Sequence, residues 1–258
     1  MQSLCKVFIG IWYALSISLS FNAHGKDRIV LTSLNWEPYI GRSLPNMGYS
    51  YELINEALKV NHYSLEIIFL SWERAIELAR KGHTDGMFPA YYSKKREKDF
   101  IFSSPIPGGP VGFYSRTDNN YRFASDPREN FAQAIEPLKK LTFGVVEGYV
   151  NYAPFDEAAY LKKRYTTSDD LNIKRLFKKQ VDIIFIDKYV AQYIITKKYP
   201  WYSLELEFIN PALEIKKLHI AFSRKAKHHQ TFIEAFNKGL EHITRNGMVA
   251  EILLKHGF

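Results

Sequence analysis

The sequence predicts an α/β protein. Short apolar runs alternate with amphipathic stretches from Arg28 onward, a pattern typical of strands followed by helices. After a polar stretch with two prolines at 116–137, the same alternation starts again, which indicates a second α/β unit. Hydrophobic residues make up 46% and charged residues 24% of the 258 positions. This composition excludes both a disordered chain and a protein embedded wholly in lipid.

The first unit contains signals for four strands and two helices. The strands are expected at 28–34, 65–70, 84–90 and 111–115, and the first helix near 50–60. Ser71 can cap the second helix, which has Glu73 in its positive first turn and ends at Gly82.

The second unit repeats the alternation, and two further helices follow it. Its strands are expected at 142–146, 164–166, 181–186, 206–209 and 218–222, and its helices at 152–161, 169–179 and after Asp187. The last two helices, about 230–245 and 248–256, carry apolar residues at helical spacing, which indicates core packing.

The first 25 residues have the composition of a secretory signal peptide. Lys6 is the only charged residue among them, and an apolar stretch occupies 7–21. Ala23 and Gly25 provide the small side chains that a signal peptidase accepts, so cleavage is expected after Gly25 and the mature protein in the periplasm. The apolar stretch is shorter than the roughly 20 residues that cross a bilayer, which disfavours a transmembrane anchor.

Several classes of chemistry find no support in the sequence. Cys5, the only cysteine, lies in the predicted leader, so the mature protein has no disulfide or thiol nucleophile. No phosphate loop, nucleophile elbow or paired metal-ligand motif is present, and neither a metal nor a cofactor is expected. The formal charge of +8 would suit nucleic acid, but export disfavours that partner. Two explanations of the positive charge remain. One is a solvated basic surface, and the other is attraction of an anionic ligand or an anionic membrane face.

Five short motifs occur in a fixed order along the chain. They are Gly48–Leu53 (GYSYEL), the stretch from Asp85 through Arg96 to FSSP at 102–105, Leu138–Val145 with Gly148, Val181–Asp187 (VDIIFID), and Asn246-Gly247 with Ile252 and Lys255. Together they resemble bacterial extracellular solute-binding protein family 3, the type II periplasmic amino-acid-binding proteins of ABC transporters. The resemblance extends over essentially the whole chain after the leader.

The resemblance implies two α/β lobes joined by two crossing strands, with a ligand in the cleft between them. Lobe 1 is expected to comprise 26–110 and 223–258, and lobe 2 to comprise 111–222. The crossing strands are expected at 111–115 and 217–222. The resemblance also implies that the protein is a monomer and that it delivers its small-molecule ligand to an inner-membrane ABC permease.

Arg96 and Asp187 are the charged candidates for ligand binding. A guanidinium matches a carboxylate in two parallel hydrogen bonds, and in the family this position grips the ligand's carboxylate. The alternative for Arg96 is a solvated turn, because lysines surround it. Asp187 ends a buried strand and can face an ammonium group across the cleft, or cap the following helix, or do both.

Aromatic residues at strand ends are the other candidates. Trp36 and Tyr39 follow the first strand, Trp72 follows the second and Tyr91 the third, at the edge where open α/β sheets bind ligands. Tyr92 is assigned to the core. In the second unit, Gly148 and Tyr149 precede a possible helix, so backbone N–H groups there can meet an anion, and a plain turn is the alternative.

The sequence departs from the family at Pro89 and Tyr91, where many members carry a glycine and a small hydroxyl residue. Proline offers no N–H and tyrosine fills space, so the ligand can be a carboxylate other than an α-amino acid. Two alternatives to transport stay open. One is an enzyme on the same fold, similar to cyclohexadienyl dehydratases, with Glu147 as the acid or base. The other is a subunit that presents ligand to a membrane sensor.

Overall fold

The computed structural model describes residues 28–258, so the predicted leader at 1–25 lies outside the described residues. Within 28–258 the chain forms two five-stranded mixed sheets, each covered by helices. This architecture confirms the predicted α/β class. In the same range, no helix combines the length and the apolar character needed to cross a bilayer.

In the first sheet three strands are parallel to one another. A fourth strand is antiparallel to them and pairs with the fifth on its other side. Its strands are β1 (Arg28–Ser33), β2 (Ser64–Phe69), β3 (Gly86–Ala90), β4 (Phe100–Phe102) and β10 (His219–Ser223). They lie in the order β2-β1-β3-β10-β4, with β10 antiparallel to both of its neighbours. Helices α1 (Tyr49–Val60), α2 (Trp72–Lys81), α7 (His229–Arg245) and α8 (Met248–Lys255) belong to this lobe.

The second sheet repeats this arrangement. Its strands are β5 (Pro110–Arg116), β6 (Thr142–Val146), β7 (Lys162–Thr166), β8 (Ile183–Asp187) and β9 (Leu206–Ile215), in the order β7-β6-β8-β5-β9. Its helices are α3 (Phe131–Ala134), α4 (Ala153–Glu157), α5 (Asp169–Phe177) and α6 (Lys188–Lys198). Strands β6, β7 and β8 are parallel, whereas β5 runs antiparallel to β8 and β9.

The chain passes twice between the sheets, once between β4 and β5 and once between β9 and β10. The two crossing segments pair with each other: Ile106 forms a bridge with Leu218, and the Lys216 N–H donates to the Gly109 carbonyl at 2.9 Å. The sequence assigned 217–222 to the second lobe, whereas the strand pairing places 219–223 in the first sheet. Residues 111–115 hydrogen-bond within the second sheet.

Local sequence signals predicted most helix ends correctly. They did not predict the shortest helices and strands. Helix α2 ends at Gly82, whose positive φ of 78° suits a glycine, although the Ser71 side chain makes no capping bond. The helix expected at 152–161 is only five residues long, and strand β7 begins after four more residues, at Lys162. Strand β4 has three residues, too few to produce a periodic pattern.

Helices α1 and α7 pack unusually closely. A Cβ atom added to Gly239 would lie 1.8 Å from the Ala57 carbonyl oxygen, so only glycine fits there. The predicted apolar face of α7 is buried, and it includes Phe232, Phe236 and Leu240.

Candidate functional site

The ends of the strands in both lobes meet at a small cleft. A cavity of about 300 Å³, counted with its opening, lies between the lobes. Four aromatic side chains and one cation line it: Trp36, Trp72, Tyr91, Tyr149 and Arg96. Leu34, Pro89 and Val150 complete the lining. Five of the eight residues predicted to bind ligand therefore lie around one cavity, although they come from both lobes.

Arg96 points into this cleft. It ends a short 3₁₀ turn at Lys94–Arg96, and its guanidinium donates to the Gly148 carbonyl of the other lobe at 2.7 Å and to the Tyr91 carbonyl at 3.4 Å. Burial and the nearby Arg80 lower the pKa of Arg96 to about 10, so the side chain stays charged at neutral pH. The alternative from the sequence, a solvated turn, fits only the neighbouring Lys94 and Lys95, which are exposed.

Trp72 and Gly148 form a second contact between the lobes. The Trp72 indole N–H donates to the Gly148 carbonyl at 3.2 Å, and the Arg96 guanidinium lies 5.6 Å from the Trp72 ring centre. The sequence left two possibilities open for Gly148: that backbone N–H groups near it meet an anion, or that the segment is a plain turn. In the structure, the Gly148 carbonyl oxygen accepts two hydrogen bonds from lobe 1.

Asp187 is buried, with 4% of its surface exposed, and does not line the cavity. One oxygen accepts from the N–H groups of Tyr189 and Val190 at 2.9 and 3.2 Å and so caps α6. The other accepts from the hydroxyls of Tyr39 and Tyr91 at 2.8 and 2.9 Å. The predicted cap is therefore present. The carboxylate faces two phenols of lobe 1 at the place where a ligand's ammonium was expected.

Tyr39 lies behind the cavity wall rather than on it. It is fully buried, and burial and the nearby Asp187 raise its pKa, so its hydroxyl remains a donor. A Cβ atom added to Gly109, in a crossing segment, would lie 2.1 Å from the Tyr39 hydroxyl and 2.9 Å from an Asp187 oxygen. The absence of a side chain at Gly109 therefore lets Tyr39 reach Asp187 beside the crossing.

Tyr92 corrects the sequence interpretation. It was assigned to the core, but 47% of its surface is exposed and its hydroxyl donates to Glu97 at 2.6 Å. Tyr91 and Tyr92 are adjacent at the end of β3, where successive side chains point to opposite faces. Only Tyr91 therefore points into the cleft.

The family model of the bacterial extracellular solute-binding proteins, family 3, matches residues 29–258. The chain belongs to this family. Solute-binding proteins of family 3 mainly bind small molecules without converting them. The two lobes with a cleft between them have the type II periplasmic binding protein fold.

Solved structures support the same fold for this family 3 protein. An ancestral arginine-binding protein bound to arginine has a TM-score of 0.74 at 18% identity, over 91% of this chain and 100% of that one. A histidine kinase sensor domain similar to periplasmic binding proteins has a TM-score of 0.74 at 17% identity, over 90% and 97%. The glutamate-bound GluR0 ligand-binding core from Nostoc punctiforme has a TM-score of 0.68 at 16% identity, over 89% and 99%. No curated protein sequence matches the chain.

Asp169 is a cleft residue of this family 3 protein that sequence reasoning missed. It is 6% exposed, and one oxygen accepts from the Trp36 indole N–H at 2.9 Å and from the Tyr149 hydroxyl at 3.1 Å. Asp169 is the first residue of the helix predicted at 169–179, where an acid is favoured by the positive end of the helix. Its position just after β7 was the available signal, because strand ends at this edge of the sheet face the cleft.

Both buried cleft carboxyls have raised pKa values. Burial raises the pKa of Asp169 and of Asp187 to about 6, and the hydrogen bonds that each accepts oppose the rise. In the unfolded chain an aspartate has a pKa near 3.9. Between about pH 4 and 6 these two carboxyls therefore hold more protons in the folded protein than in the unfolded chain, and their contribution to the free energy of unfolding falls as pH rises through this range.

Asp169→Asn should remove one part of this pH dependence. The amide oxygen can accept from both Trp36 and Tyr149 without a buried charge, so the variant is expected to be more stable than the parent by about 2 kcal/mol at pH 7.5. The difference should vanish near pH 4, where Asp169 itself is protonated. Urea unfolding of both proteins at several pH values measures it. A stability difference that does not change with pH would contradict the raised pKa.

Proposed function

We propose that the chain is an exported receptor that closes its two lobes on a small carboxylate-bearing ligand and delivers the ligand to an ABC transporter permease. The single observation that carries this proposal is the position of Arg96. A charged guanidinium lies in the wall of a small cleft between the lobes, where a carboxylate can receive two charge-assisted hydrogen bonds.

Closure then amounts to a population shift. Arg96 and Trp72 from lobe 1 and Tyr149 from lobe 2 surround one cavity, so a ligand between them contacts both lobes only in the closed form. Two of the similar solved structures contain bound arginine or glutamate, which supports a small organic acid as the ligand class. The apolar stretch at 7–21 supports export to the periplasm.

A sensory role is the second candidate, because a histidine kinase sensor domain shares the fold over 90% of this chain. An enzyme gains less support. Glu147, the candidate acid or base, is exposed and does not line the cavity.

A thermal-shift panel on the mature protein tests ligand capture. Amino acids, small dicarboxylates, aromatic acids and N-methylated acids are added singly, and at least one carboxylate is expected to raise the melting temperature, because a ligand that binds only the folded state stabilises it. Neutral amides of the same compounds serve as controls. No shift with any carboxylate would overturn the proposal.

Crosslinking in the native membrane separates transport from sensing. Capture of a permease by the ligand-bound protein supports delivery for transport. Capture of a sensor kinase in its place would replace transport by signalling. Turnover of prephenate or arogenate, followed by absorbance, would instead establish an enzyme.

A further inference from the structure

The four aromatic rings of the cleft are arranged as walls that meet at right angles. Tyr91 and Trp36 lie 5.7 Å apart at 78°, Trp36 and Tyr149 lie 6.3 Å apart at 84°, and Tyr149 and Trp72 lie 6.1 Å apart at 87°. Two parallel faces would hold a flat ring between them. Successive perpendicular walls enclose a compact, rounded group instead.

Arg96 completes the circuit of side chains. Its guanidinium lies over the Trp72 ring at 5.6 Å and donates to the Tyr91 carbonyl at 3.4 Å, so it joins the two ends of the aromatic series. The space is therefore lined by four aromatic side chains and one cation, with Leu34, Pro89 and Val150 as its other walls. A ligand that fits it needs an anionic end for Arg96 and a compact end for the rings.

The lining suits a positive charge that has no N–H groups. A primary ammonium has three donors that need acceptors. No carboxylate is among the residues within 28–258 that line this cavity, and the Asp169 oxygen that lies next to its walls already accepts from Trp36 and Tyr149. The oxygens of Asp187 already accept four hydrogen bonds, and the Gly148 carbonyl already accepts two. A quaternary ammonium needs no acceptor and is attracted to aromatic faces.

We propose that this cleft binds small carboxylates that carry a quaternary ammonium group, with the carboxylate on Arg96 and the methylated cation among Trp36, Trp72, Tyr91 and Tyr149. The inference rests on the proposed function and names the ligand class of that site. Primary α-amino acids are the class that the arrangement disfavours.

Calorimetric titration of the mature protein with three matched probes tests the inference. Trimethylglycine has both groups, 3,3-dimethylbutanoate keeps its shape and carboxylate without the positive charge, and glycine keeps both charges but presents N–H groups. Trimethylglycine is expected to bind at least about 10-fold more tightly than either of the others, because only it gains attraction to the ring faces without losing hydrogen bonds.

Variants at Tyr149 test the aromatic wall. Tyr149→Leu removes the ring face and should weaken trimethylglycine binding about 10-fold or more, whereas Tyr149→Phe keeps the face and should stay within about 3-fold of the parent. Tyr160→Leu is the matched control, since Tyr160 is 60% exposed and lies outside the cleft. Circular dichroism melts of each variant check that it is folded.

The outcomes separate this inference from the proposed function. If 3,3-dimethylbutanoate binds as tightly as trimethylglycine, or glycine or another primary amino acid binds more tightly, the inference is overturned while carboxylate capture stands. If Tyr149→Leu binds trimethylglycine like the parent, the aromatic site is overturned. If no carboxylate of the panel binds, the proposed function is overturned together with the inference.

Discussion

Replacing Arg96 by alanine is expected to weaken binding of the carboxylate ligand by about 100-fold or more. A charge-assisted hydrogen bond contributes about 1.5 to 3 kcal/mol, and two of them are lost together. The fold should survive, because the Gly148 carbonyl that accepts from Arg96 also accepts from Trp72. Calorimetry with the acid that gives the largest thermal shift measures the effect.

Lys95→Ala is the matched control for Arg96→Ala. Lys95 is the preceding residue, carries the same charge and is exposed, so its removal should change the dissociation constant less than about 2-fold at moderate salt. Arg96→Lys should recover only part of the affinity, since an ammonium cannot form the planar pair of bonds. Equal binding by Arg96→Ala and the parent would remove Arg96 from the ligand site.

Asp187→Ala is expected to lower the free energy of unfolding by about 3 kcal/mol. It leaves two phenol hydroxyls and two backbone N–H groups without their acceptor, and an unsatisfied buried donor costs about 1 to 3 kcal/mol. Removal of a buried charge offsets part of this loss. For a protein of this size the melting temperature should fall by about 6 to 12 °C.

Two variants show which contacts of Asp187 matter. Asp187→Asn retains an oxygen for the Tyr189 and Val190 N–H groups and should lose less stability than Asp187→Ala. Glu157→Ala, at an exposed acid of the same lobe, should leave urea unfolding unchanged within about 0.5 kcal/mol. If Asp187→Ala were as stable as the parent, the hydrogen bonds that Asp187 accepts would not outweigh the cost of burying its charge.

The sequence predicted the architecture because its signals are local and repeated. Runs such as 142–146 and 181–186 are apolar and bounded by turns, and the structure places strands β6 and β8 there. The positions of Trp36, Trp72 and Tyr91 around one cavity followed from a general rule, since side chains at the carboxyl ends of parallel strands collect at one edge.

Contacts between distant residues could not be predicted in the same way. Asp187 is 148 positions from Tyr39, and the pairing of these two side chains depends on how the lobes meet, which no local pattern encodes. Asp169 was missed for the same reason, because an acid at the start of a helix is explained equally well by the helix dipole. Tyr92 was misassigned because composition cannot tell which of two adjacent tyrosines faces inward.

The position of β10 in the first sheet has a consequence for biogenesis. This strand lies between β3 and β4, so the first lobe lacks an internal strand until residues 219–223 have become available for folding. The second sheet, in contrast, is built from the uninterrupted stretch 110–215. We therefore expect the later-encoded lobe to complete its sheet first as the chain emerges, while the amino-terminal lobe stays incomplete until the final segment arrives.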